Sequence, residues 1–148
     1  IRAGNINDSS LKCKRVGQIN RKLVCSPKLA KQIKTDASPD SLNSFDWIKL
    51  SMMPVKRTLI NRTSKLQVEV EMSSRISANS VEAIARLCKL GLGIATPPDY
   101  LVEDSITSGE LVEVLPDWQV APIPLYAIWP NNVSPNSVTK KLIDFISA

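Results

Sequence analysis

One stretch constrains this chain more than any other: Ser77-Ala78-Asn79-Ser80-Val81-Glu82, continuing to Gly91-Leu92-Gly93-Ile94-Ala95-Thr96-Pro97. Asn79 is a favoured N-cap, and Glu82 stands three residues later, the spacing of a capping box. Val81, Ile84, Ala85 and Cys88 then fall on one helical face, widened by Leu87. Gly91 suits a left-handed helix stop, after which Leu92-Gly93-Ile94-Ala95 reads as a short buried strand. A capped helix joined to a buried strand is an α/β unit. The free N–H groups at its helix start are able to receive an anion.

The rest of the chain extends this pattern. Ile1-Arg2-Ala3-Gly4 reads as the tail of a strand, and residues 12–19 and 22–25 as extended segments. Pro27 suits the first turn of a short helix over 27–33 with Ser26 as its cap. Residues 34–43 read as a loop with one helical turn, 47–50 as an apolar strand, and Met52-Met53-Pro54 as a break. From Leu66 to Met72 apolar and polar residues alternate, the signature of a half-buried strand. Pro97-Pro98 starts a helix reaching about Thr107, which Gly109 stops. A strand over 111–115, a turn at Pro116-Asp117-Trp118 and a strong strand over 124–129 follow. Pro135 opens a final helix with Val138, Leu142, Phe145 and Ile146 on one face. Strands and helices in this alternation predict an α/β fold with a largely parallel sheet.

Composition removes several function classes. Among 148 residues there is no histidine, which excludes Ser-His-Asp and Cys-His nucleophile systems and histidine metal centres. Cys13, Cys25 and Cys88 are odd in number and form no C-x-x-C pair, so neither a disulfide framework nor a zinc site is expected. They point to a reducing, cytoplasmic setting. No P-loop or G-x-G-x-x-G fingerprint is present, so no enzyme, cofactor or metal is expected. Glu69 and Glu71 are i, i+2 neighbours, but a solvated sheet face explains them better than an acid/base pair. No run approaches eighteen apolar residues, so no membrane span is expected. The net charge of +5 is scattered among acids and aromatics are only 5%, which argues against direct nucleic-acid binding. Lys28, Lys31 and Lys34 read as the solvated face of the short helix. Three N-x-S/T matches, at Asn7, Asn61 and Asn132, are what chance gives in so Asn/Ser-rich a chain. The first residue is Ile1, which suggests a piece of a longer or processed protein.

Several phrases, in their order and spacing over nearly the whole chain, resemble the effector-binding domain of LysR-type transcriptional regulators. They are Ile1-Arg2-Ala3-Gly4, Asp8-Ser9-Ser10-Leu11, Leu23-Val24-Cys25-Ser26-Pro27 and Asn79 before the helix. Further along come Gly91 to Pro97, Gly109-Glu110-Leu111-Val112, Leu115-Pro116-Asp117-Trp118 and Pro124-Leu125-Tyr126-Ala127-Ile128-Trp129-Pro130. Departures from the family pattern are Cys25, where Ala is usual, and Phe45, where His is frequent.

The resemblance implies a type II periplasmic-binding-protein-like fold: two α/β lobes joined by two crossover strands, with the first lobe incomplete here. It divides the chain into 1–22 (end of the first lobe), 23–122 (second lobe) and 123–148 (return strand and final helix, packed on the first lobe). It implies a small-molecule effector bound in an interlobe cleft by Arg2, Ala3, Gly4, Ser77, Asn79, Ser80, Thr96 and Pro97, with Asn79 alternatively a plain cap and Arg2 alternatively solvent-facing. The N–H groups of Ser80 and Val81 at the helix start make a small carboxylate or other anion the natural guest. DNA would be met only through an N-terminal helix-turn-helix preceding Ile1, in a homodimer or homotetramer away from any membrane. The alternative is a free-standing solute-binding protein of the same fold, which a secretory leader upstream would mark.

Overall fold

The structure, a computed structural model, describes residues 1–147. In chain order the elements begin with β1 (Arg2–Ala3), β2 (Leu11–Ile19), β3 (Val24–Cys25) and α1 (Pro27–Ala30). A 3-10 turn over Pro39–Ser44 leads to β4 (Trp47–Leu50), β5 (Lys56–Asn61), β6 (Gln67–Glu71) and β7 (Ser74–Ala78). Then come α2 (Val81–Lys89), α3 (Asp99–Thr107), β8 (Val112–Glu113), β9 (Trp118–Val120), β10 (Ile123–Pro130) and α4 (Val138–Ile146). The chain divides into two compact units, one of Ile1–Ile19 with Pro122–Ala148 and one of Asn20–Ala121.

The first unit is an antiparallel sheet in the order β1-β10-β2. Arg2 and Ala3 pair with Tyr126 and Leu125, while β10 runs against β2 from Ile123↔Ile19 to Pro130↔Leu11, with a bulge at Leu125/Tyr126. Ser137 caps α4 by accepting from the Lys140 N–H at 3.2 Å. Lys140 also pairs with Asp144 and sits 5.8 Å from the Trp129 ring centroid. The expected apolar face of this helix is not the one that packs. Ile143 is buried, whereas Val138 and Phe145 are 82% and 80% exposed and Leu142 is 55% exposed. A three-stranded sheet offers a narrow apolar surface, and within the described residues it covers only the edge of α4 that carries Ile143.

The second unit is built around a middle layer: β3, β4 and β7 together with the Ile94-Ala95 segment. Trp47 bridges Ile94 in parallel sense and Val24 bridges Ala95 in antiparallel sense. Because side chains alternate along extended chain, neighbouring residues feed opposite cores. Cys25, Trp47 and Ile94 enter one cluster with Leu42, Leu59 and Val70; Val24, Ile48 and Ala95 enter the other with Ile84, Cys88 and Val102. Trp47 is fully buried and its indole Nε1 donates to the Leu42 carbonyl at 3.0 Å, so its one polar atom is satisfied.

The sheet is not largely parallel. Among the named strands only β4 and β7 pair in parallel; β3–β8 and β6-β5-β9 are antiparallel. The reason is local. Asn61 Oδ1 accepts from the Thr63 and Ser64 N–H groups at 3.0 and 2.9 Å and Lys65 takes φ 62°, folding β5 directly back on β6. Leu92-Gly93-Ile94-Ala95 likewise makes single bridges and no continuous strand. The short helix α1 ends at Ala30, so Lys28, Lys31 and Lys34 do not share one helical face.

Candidate functional site

The middle layer of the second unit positions the residues of interest. β4 and β7 run in parallel, with Lys49↔Ser77 and Leu50↔Ala78 in register, and Ile94 pairs in parallel with Trp47. The carboxyl ends of β7, β4 and the segment 94–97 therefore lie along one edge. Ser77 and Thr96 stand at about the same level there, two strand spacings or about 10 Å apart. In α/β sheets this edge is where ligands bind. The topology thus brings Ser77, Asn79 and Ser80, at the entry to α2, onto the same edge as Thr96 and Pro97.

Two glycines make that edge possible. A Cβ on Gly93 would sit 2.6 Å from the Asp46 carbonyl oxygen, so only glycine admits the Ile94 N–H to its 2.9 Å bond with that same oxygen. Gly91 has φ 81° and is the helix stop expected from the sequence.

The cap of α2 is Ser80, one residue after the expected Asn79. Ser80 Oγ accepts from the Ala83 N–H at 3.2 Å and donates to Glu82 Oε2 at 2.7 Å. Those contacts hold the Glu82 carboxyl below the usual carboxylate range, the Ser80 hydroxyl first and its own backbone N–H second. The helix start is thus already neutralised by a carboxylate of the chain, and its N–H groups are poorer anion receptors than the sequence suggests. Ser77 and Asn79 are exposed, with no hydrogen bond to the cap.

Thr96 is half-buried, and its Oγ1 accepts from Arg57 Nε at 3.0 Å. Pro97 is fully buried and its carbonyl accepts from the Lys22 N–H at 3.0 Å. Arg2 and Ala3 are exposed on β1, and Gly4, at φ 89°, donates its N–H to the Pro124 carbonyl at 2.9 Å. These three belong to the first unit. Lys22 and Arg62 share Glu113, each at 3.2 Å.

Sequence reading missed Arg57. It points inward from β5 and is 5% exposed. Desolvation holds its guanidinium below the ordinary arginine range. The signal was present as an arginine in the place of an inward apolar residue, two positions before the buried Leu59.

No group of three or more metal-ligating side chains occurs among the described residues. No helix among them is long and apolar enough to cross a membrane.

Comparison with known proteins agrees with this architecture. An uncharacterized HTH-type transcriptional regulator of Haemophilus influenzae is 27% identical over 135 residues, 88% of this chain and 46% of its own. The HTH-type transcriptional activator AaeR of Escherichia coli is 28% identical over 129 residues, 87% of this chain and 42% of its own. The regulatory domain of AphB in Vibrio vulnificus superposes with a TM-score of 0.71 at 28% identity, covering 99% of this chain and 71% of that one. The chain spans less than half the length of these curated relatives. The two relatives are HTH-type transcriptional regulators, and the superposed neighbour is a regulatory domain. The LysR substrate binding domain family model matches residues 1–148, and the chain, with its mixed α/β, type II periplasmic-binding-protein-like fold, belongs to that family of effector-binding domains.

Proposed function

We propose that this domain senses a small anionic effector, a carboxylate being the simplest guest, for a cytoplasmic LysR-type regulator. The observation that carries the reading is the single sheet edge bearing Ser77, Asn79, Ser80, Thr96 and Pro97. It supplies hydroxyl and amide groups at the carboxyl ends of strands, where a small guest meets oriented donors. Arg2, Ala3 and Gly4 are the candidate effector residues of 1–22, the end of the first lobe in a division that continues with 23–122 and 123–148. DNA is met through a helix-turn-helix elsewhere in the longer protein, which works as a homodimer or homotetramer.

The effector acts only through a difference in affinity between two states of the regulator. A panel of acetate, benzoate and succinate, titrated at constant ionic strength, is expected to raise the Tm of the full-length protein saturably for at least one member. A Tm that stays flat across the panel while neutral analogues raise it overturns the anionic reading.

A further inference from the structure

The unit Asn20–Ala121 buries the guanidinium of Arg57 and half-buries Arg21, whose Nε is itself buried. Among the described residues no carboxylate pairs with either. Nε of Arg57 donates to Thr96 Oγ1 at 3.0 Å, and its Nη1 donates to the carbonyls of Pro54 and Lys56 at 2.8 and 3.0 Å. Nη2 of Arg21 donates to the Ala121 carbonyl, while its Nε is buried with no hydrogen-bond partner among the described residues. A closed circuit of contacts fixes the two around one spot. The Ala121 N–H donates to the carbonyl of Thr58, next to Arg57, at 2.9 Å; Thr96 stands two residues from Pro98; and Pro98 bridges the backbone of Arg21.

Buried charges are ordinarily paired, because the low dielectric that strengthens an ion pair penalises a lone ion. The ion pairs among the described residues use other cations: Lys22, Lys56, Arg62, Arg75, Lys89 and Lys140. Burial, with Arg57 nearby, pushes Arg21 down to about 10, so it still carries its proton at neutral pH. Two protonated, mutually repelling groups held together without a counterion are the arrangement an anion completes. The hydroxyl between them suits the same guest. Thr96 Oγ1 accepts from Arg57, so its own proton is left to donate, and Arg21 Nε–H is a second free donor. The α2 start, already occupied by Glu82, offers no comparable charge.

We propose that Arg21, Arg57 and Thr96 form an anion seat that takes the carboxylate of a small acid, one oxygen on Arg21 Nε–H and the other on the Thr96 hydroxyl. The seat rests on the anionic-effector reading above but moves the recognition of charge from the helix start to an arginine pair. Arginine fits the task because it keeps its charge when buried and presents directional N–H donors.

The test uses the full-length protein, with sodium benzoate titrated calorimetrically at constant ionic strength and bromide soaked into crystals for anomalous diffraction. Arg21→Gln and the charge-keeping Arg57→Lys are expected to weaken benzoate binding at least tenfold, and Lys31→Gln, an exposed cation away from the pair, less than twofold. A bromide peak is expected in contact with Arg21 Nε. Circular dichroism identifies any variant that fails to fold, and the bromide peak in the unmodified protein then decides alone. Benzoate binding that survives both arginine changes overturns the seat and leaves the anionic-effector reading standing. A bromide peak at Arg21 without benzoate binding supports the seat and removes the carboxylate. A water alone at Arg21 Nε, with no peak, overturns the seat.

Discussion

At the scale of single residues, the cysteines show how a bland composition conceals different environments. Cys13 is exposed on β2, while Cys25 and Cys88 are buried. The Cys88 thiol lies 3.4 Å from the Val24 carbonyl and 3.5 Å from that of Gly93, a weak donor resting on the middle layer. Burial pushes the Cys25 thiol up to about 11 and, with Cys25 close by, the Cys88 thiol up to about 12. Both are therefore protonated and unreactive in the folded state. A maleimide at pH 7.5 is expected to modify one thiol rapidly, Cys13, and the others only after denaturant is added. Three rapid equivalents in native buffer would contradict the burial. The same shifts fix a sign for stability. The folded state holds its thiol protons to a higher pH than the unfolded chain, whose thiols titrate near 9. This contribution is complete below pH 9 and is lost as pH rises toward 11–12, at up to about 1.4 kcal/mol per pH unit per thiol.

Among elements, legibility followed how closely each obeyed a local rule. The face of α2, its stop at Gly91, α3 between Pro98 and Gly109, and the strand β4 all follow periodicity and punctuation. The cap was misplaced by one residue because Asn79 and Ser80 are both good caps, and Ser80 alone reaches the Ala83 N–H. β5 was not legible, since Arg57 occupies an inward position and breaks the apolar alternation. β7 was hidden for a related reason: Ser74-Arg75-Ile76-Ser77-Ala78 has little apolar content and is defined by its pairing with β4. At the candidate site, Thr96 and Ser77 are named by the family pattern alone, whereas Arg57 is visible only in the fold. Gly93 shows the converse, a residue whose necessity lies entirely in packing. Gly93→Ala puts a methyl 2.6 Å from the Asp46 carbonyl oxygen, against backbone that cannot step aside. It is expected to lower unfolding stability by about 1–3 kcal/mol in urea titrations. A change within 0.5 kcal/mol, smaller than overpacking normally costs, would show that the Asp46–Ile94 contact is loose.

The whole molecule poses a question that net charge alone answers wrongly. A formal charge of +5 in a family of DNA-binding regulators invites the idea that this domain touches the duplex itself. Six of its nineteen Lys and Arg side chains stand in ion pairs among the described residues. Lys22 and Arg62 share Glu113, Lys56 meets Glu69, Arg75 meets Asp46, Lys89 meets Glu110 and Lys140 meets Asp144. Arg21 and Arg57 are turned inward, and Lys28, Lys31 and Lys34 are not aligned on one helix. Exposed pairs of this kind stabilise the fold little, but each offsets a positive charge that would otherwise help release counterions from a duplex. Phosphate binding needs several cations presented together, and each one engaged steepens the dependence on salt. This 148-residue chain is therefore expected to leave a random 30-bp duplex unshifted at 150 mM salt in a mobility assay. Weak retention at 20 mM is compatible with the scattered charge. Tight binding at 150 mM with a log–log salt slope near −6, the mark of about six or seven phosphate contacts, would mean that an organised basic surface exists after all. The domain would then hold DNA directly, through its own surface.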